Sequence, residues 1–168
     1  NMHPSTQTAV LNDVIEVLNR QGLHKLLIVN GHGGNDFKTM LRELGVRYPD
    51  MLLASCSFFK SLDKSKYFDH PEGDHADEME TSLMLYLASH LVRPLSEAGN
   101  GEDKKFKIKS LRENWAWTER KWSQVTADTG VGNPYSSTKE KGKAFFNDVT
   151  DKLSELFTEL AAADPDEM

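Results

Sequence analysis

The run Leu26-Leu27-Ile28-Val29, closed by Asn30-Gly31-His32-Gly33-Gly34-Asn35, constrains the fold of this chain more than any other stretch. A short continuous apolar run bounded by turn signals reads as a buried strand of a parallel sheet. The helical pattern that begins near Asp36 makes the segment a strand, a glycine-rich turn and a helix. Ligands sit at the carboxyl edge of such sheets, where His32 falls. Glycines around it let a metal or substrate approach closely, so Gly33 and Gly34 are candidate substrate-binding positions. The same turn also serves as a plain helix start with Asn35 as N-cap. Neither dinucleotide nor phosphate-loop glycine spacing is present.

The rest of the chain alternates helical and strand-like patterns. A first helix is expected over 5–21, with Val10, Val14, Val17 and Leu18 on one face and Gly22 ending it. A strand at 25–30 and a helix at 36–47 follow, then a second buried strand over 51–59. A polar loop at 60–74 leads to a helix at 77–91 carrying Met79, Leu83, Met84, Leu87 and Leu91. Residues 92–135 are irregular. A last helix begins after Ser136, where Ser137-x-x-Glu140 reads as a capping box. The pattern implies one α/β domain over 1–168, a three-layer α/β/α sandwich with a mostly parallel sheet.

The second chemical cluster is Asp74-His75-Ala76-Asp77-Glu78-Met79-Glu80-Thr81-Ser82. On a regular helix His75 and Glu80 would lie roughly 140° apart. They address one site only if His75 is on the approach loop and Glu80 in the first turn. Asp77-x-x-Glu80 also reads as a capping box, with acidic residues suiting a helix N-terminus. Capping leaves His75 and Asp74 unexplained.

Taken together, Asn-Gly-His-Gly-Gly-Asn at 30–35 and His-Ala-Asp-Glu-Met-Glu-Thr-Ser at 75–82 resemble the motifs of the creatininase (creatinine amidohydrolase) family. Gly130-Val131-Gly132-Asn133-Pro134 and Glu140-Lys141-Gly142 are similar to its third motif, in the same order. The resemblance implies a metal-dependent hydrolase acting on carbon–nitrogen bonds other than peptide bonds. It implies His32 and Glu80 as ligands of zinc or manganese, two ions per complete site, with His75 as catalytic acid/base and Asp74 near the substrate. Paired divalent ions make hydroxide available at neutral pH, and a histidine can hand a proton to the departing nitrogen. A homo-oligomer, dimer to hexamer, is implied as well.

Three departures from that pattern are visible. Family members begin with a Glu-x-His pair and a bridging Asp, which this sequence lacks, so those ligands are expected to belong to a preceding segment. Gly34 stands where creatininases proper carry glutamate, which implies a substrate other than creatinine. Asp77 occupies a position that is usually glycine. A non-catalytic fragment or degenerate relative that binds a ligand or partner subunit is the alternative, and a flavodoxin-like anion binder using residues 31–34 is a weaker one.

The net charge of −6 argues against nucleic acid and anionic membranes as partners. No apolar stretch approaches membrane-spanning length, and a cytoplasmic location is expected. The single Cys56 lies in an apolar run and reads as a small buried hydrophobe. Trp115, Trp117 and Trp122 are either a satellite core or aromatics that close over a site. The lysines at 104, 105, 107 and 109 read as a solvated face.

Overall fold

The computed structural model describes residues 2–165, which fall into two compact units, 2–62 with 150–165, and 63–149. In the first, helix α1 spans Pro4–Arg20, with proline at its start, where no backbone donor is lost. It stops at Gly22, whose φ of +74° suits a residue without a side chain. Gly22 N donates to Asn19 O and Leu23 N to Leu18 O, a paired closure that satisfies the last carbonyls.

Strand β1 (Lys25–Asn30) pairs in parallel with β2 (Leu52–Ser57), in register from Lys25 opposite Leu52 to Asn30 opposite Ser57. The crossover is helix α2 (Phe37–Arg47), which buries Met40, Leu41 and Leu44. Ile15, Leu44 and Met51 form the core of this unit, with Leu11, Leu18, Leu26, Tyr48 and Leu53 packed around them. The α/β class and the parallel pairing agree with the sequence reading. The second strand ends two residues short of expectation because Phe58–Lys60 coil into a 3-10 turn.

The inward face of α1 corrects the expectation. Leu11, Ile15 and Leu18 face the core, whereas Val10, Val14 and Val17 are about half exposed. Two adjacent stripes of this helix are apolar, and the one with the larger side chains is buried, which removes more apolar area from water.

The second unit is built on α3 (Glu78–Ala88) and the first half of α6 (Lys139–Ala162). Phe145 is fully buried, its ring 5.2 Å from those of Tyr67 and Phe68. The two helices touch through backbone: a Cβ on Gly142 would fall 1.9 Å from the Ser82 carbonyl oxygen. Helix α3 is shorter than the expected 77–91, with a 3-10 turn at Ser89–Leu91, and Met84, Leu87 and Leu91 are exposed. The capping box at 137 and 140 is also corrected. Thr138 Oγ1 accepts from Lys141 N, while Ser137 is buried and donates to the Glu78 carbonyl.

Between α3 and α6 the chain carries two short α-helices, α4 (Lys109–Arg112) and α5 (Trp122–Val125), and a further 3-10 turn at Leu95–Glu97. Asp128 ties this region together, accepting from Gly99 N and Gly130 N. Lys104 N donates to Val125 O, which closes the segment onto itself. None of the described helices is long and apolar enough to cross a membrane.

Candidate functional site

In the first unit the glycine turn at the end of β1 is organised by Asn30, which is buried. Its Oδ1 accepts from His32 N and from Asn35 Nδ2, both at 3.1 Å, and its Nδ2 donates to Ser57 Oγ at 3.4 Å. Gln7 Nε2 donates to Asn35 Oδ1, linking α1 to the same loop. His32, Gly33 and Gly34 are exposed. Gly34 N donates to His32 Nδ1 at 3.0 Å. An Nδ1 that accepts leaves the ring proton on Nε2 in the neutral form. A metal held by this ring would take Nδ1 in place of the Gly34 N–H, or would take Nε2 after the proton moved to Nδ1 and that contact was given up.

The second unit holds Asp74, His75 and Glu80. Asp77 is the N-cap of α3: its Oδ1 accepts from Glu80 N at 2.9 Å and its Oδ2 meets Lys64 Nζ at 3.1 Å. Glu80 reaches back, its Oε2 accepting from Ala76 N at 2.6 Å. The capping arrangement read from the sequence is therefore present, shifted by one donor. It occupies one oxygen of Glu80 and leaves Oε1 without a hydrogen bond among the described residues. Ala76, between His75 and Asp77, has φ of +49°, a left-handed conformation that costs a non-glycine residue ~1 kcal/mol. Such strain gathers at functional sites.

His75 is pinned by backbone and leaves its ring free. His75 N donates to Val131 O, Val131 N to His75 O, and Asp74 N to the same Val131 O. This bridge explains the Gly-Val-Gly stretch, since a Cβ on Gly132 would lie 2.6 Å from Gly73 Cα and 2.7 Å from Asp77 Cβ. The imidazole lies 4.9 Å from the Trp122 ring, and neither of its nitrogens has a hydrogen-bond partner among the described residues. Asp74 is not free: Arg120 grips it at both oxygens, at 3.0 and 2.6 Å. Its expected place beside a substrate is thus shared with a guanidinium.

Two residues that sequence reasoning passed over prove central. Glu78 is fully buried, accepting from His70 N at 2.8 Å and pairing with Lys141 Nζ. Lys141 also donates to Asp69 Oδ2 and Ser136 O, each at 2.9 Å. Burial is the largest influence on the Lys141 ammonium and pulls its pKa down. Hydrogen bonds and attraction from Asp69 and Glu78 together outweigh it, so the pKa sits above the ordinary value. The Lys141 hydrogen bond, with its charge, holds Asp69 below the usual carboxylate range. Both residues lie inside the motifs at 75–82 and 140–142; buried pairing across a loop has no local sequence signature. Among the described residues no group of three or more His, Cys, Asp or Glu side chains is arranged to hold a metal.

The family profile for creatininase (creatinine amidohydrolase) matches residues 1–157. A solved Bacteroides fragilis protein, provisionally assigned as a creatinine amidohydrolase, is 45% identical, with a TM-score of 0.90 over 98% of this chain and 64% of that one. A creatininase variant of zinc–zinc type is 22% identical, with a TM-score of 0.73 over 95% of this chain and 65% of that one. A manganese creatininase is 21% identical, with a TM-score of 0.68 over the same shares, 95% and 65%. The chain thus spans less than two thirds of the length of these solved proteins. A search among curated proteins finds no match. With three ordered motifs, a shared α/β fold and a profile match over nearly its whole length, the chain belongs to the creatininase family.

Proposed function

We propose that this chain is part of a metal-dependent amidohydrolase that cleaves a C–N bond, of the cyclic amide or formamide type, in a small molecule. The observation that carries this reading is the state of the three key side chains. Glu80 keeps one carboxylate oxygen unshared among the described residues, His32 keeps Nε2, a ligand atom once its proton shifts to Nδ1, and His75 keeps both ring nitrogens unshared. Neutral imidazole and carboxylate suit zinc or manganese, the metals of the two distant relatives. When bound, such ions supply an activated water at neutral pH and polarise the carbonyl.

His75 hands a proton to the departing nitrogen, for which a ring nitrogen with no competing partner is required. The turn at Gly33 and Gly34, without side chains, admits the substrate close to His32. Gly34, lacking a side chain where creatininases proper carry glutamate, favours a substrate other than creatinine. A catalytic zinc takes about three protein donors, so His32 and Glu80 need supplementing, by a Glu-x-His and Asp segment or by another subunit. The acting form is a homo-oligomer, dimer to hexamer, in the cytoplasm.

The test is metal stoichiometry and hydrolysis of small cyclic amides and formamides, by the chain alone and extended by a Glu-x-His and Asp segment. Weak metal binding alone, with stoichiometric zinc or manganese and turnover after extension, is the expected result. Tight dinuclear metal in the 168-residue chain as a monomer contradicts it. A second reading, a ligand-binding relative without turnover, draws on Glu80 serving as a helix cap. Metal uptake after extension without hydrolysis of any such substrate would favour it.

A further inference from the structure

The segment that follows α4 places Arg120 and Trp122 against the approach to α3. Arg120 clasps Asp74 with two parallel N–H···O bonds, the geometry that gives an arginine–carboxylate pair directional rigidity. The same guanidinium lies over the Trp122 ring, 4.9 Å from its centroid. The His75 imidazole lies 4.9 Å from that ring at a tilt of 55°. Asp74 and His75 are adjacent in sequence, so the chain of contacts closes: Asp74 to Arg120, to Trp122, to His75.

From this closed ring of contacts we infer that Arg120, acting through Trp122 and Asp74, is a positioning residue that sets the orientation of the His75 imidazole. The His75 backbone is fixed by Val131, but a histidine with no hydrogen bond to either nitrogen has nothing polar to choose its rotamer. Contact with an indole that is itself held by a fixed cation supplies that choice while leaving both nitrogens open. The arm itself is anchored, since Val125 and Thr126, three and four residues after Trp122, are buried. Trp115 and Trp117, 73% and 88% exposed, take no part. The inference rests on His75 being the proton donor proposed above.

The experiment follows the His75 ring protons by NMR in the full 168-residue chain, assigned with His75→Gln. The Trp122 ring current is expected to displace these resonances, and Trp122→Leu to abolish the displacement. Arg120→Gln and the isosteric Asp74→Asn should each lose most of it, and Arg120→Lys should restore it only in part. The aromatic signals of Phe145 report that each variant is folded; should Arg120→Gln fail to fold, Asp74→Asn reads the same link. An unchanged His75 displacement in folded Arg120→Gln or Asp74→Asn overturns the inference. In an active, extended form, Arg120→Gln should lower kcat ~10-fold or more with little change in KM. A freed ring with kcat unchanged also overturns it. Loss of the ring displacement in a chain that hydrolyses nothing supports the positioning link and counts only against the proposed reaction.

Discussion

The turn at 30–35 is held by neutral groups: Asn30 and Asn35 amides, the Ser57 hydroxyl and backbone N–H. The segment at 74–80 is held by charge: Asp77 on Lys64 and on a helix N-terminus, Glu78 on Lys141, Asp74 on Arg120. Neutral hydrogen bonds contribute about 1 kcal/mol each and rearrange at little cost. A buried charge stripped of its partner is left in a medium that cannot solvate it. One cluster is therefore able to rearrange at little cost, and the other holds its side chains where they are. Substitutions in the second should register as lost stability, those in the first as lost ligand.

Lys141→Met is the harshest test of that contrast. It leaves the Glu78 carboxylate buried with only the His70 N–H for company, a loss of about 3 kcal/mol on removing one partner of a buried pair. Urea denaturation measures it, and the double change with Glu78→Gln should recover most of the loss. A loss under about 1 kcal/mol would erase the distinction between the clusters. Asp77→Ala comes next, at about 2 kcal/mol, since it removes an N-cap and the buried partner of Lys64 together.

Asn30→Ala is expected to cost about 1 kcal/mol and to loosen the turn, visible as faster amide exchange at His32 and Asn35. His32→Ala should change stability by less than ~0.5 kcal/mol, because the ring is exposed, while abolishing metal uptake by the extended form. A large stability loss there would make the histidine a scaffold residue. The smallest effect is in acid. The folded pKa of Asp69 is lowered, so its contribution is present above about pH 4 and lost as pH falls through the folded value. Lys141 is raised, so its contribution is lost only as pH climbs past about 10.4. Asp69→Asn should flatten the acid limb of a stability–pH curve and shrink the alkaline limb to the part that Glu78 sustains.

Much of this was legible from local pattern. The strand at 25–30, the stop at Gly22 and the helix ending before Pro49 follow from apolar runs and from the conformational limits of glycine and proline. The face of α1 was not legible, because Val10, Val14 and Val17 repeat at the same period as Leu11, Ile15 and Leu18. At the site, His32, His75 and Glu80 stood out as residue types in sequence order. The partners that fix their surroundings did not: Arg120 meets Asp74, and Lys141 meets Glu78, across long stretches of chain with no shared periodicity.

Gly142 carries a consequence for how this molecule can move. Packed helices often adjust by sliding past one another in small steps. At Gly142 the backbone of α6 sits on the Ser82 carbonyl with no room for even a methyl group. A slide of one turn would bring Phe145 or Phe146, the next side chains along that face, against the carbonyl. Helix α6 therefore acts as a latch at this point: it can lift away from α3, breaking the contact in one event, but it cannot creep along it. Any rearrangement around the start of α3 then proceeds as a discrete opening, not as a graded shear.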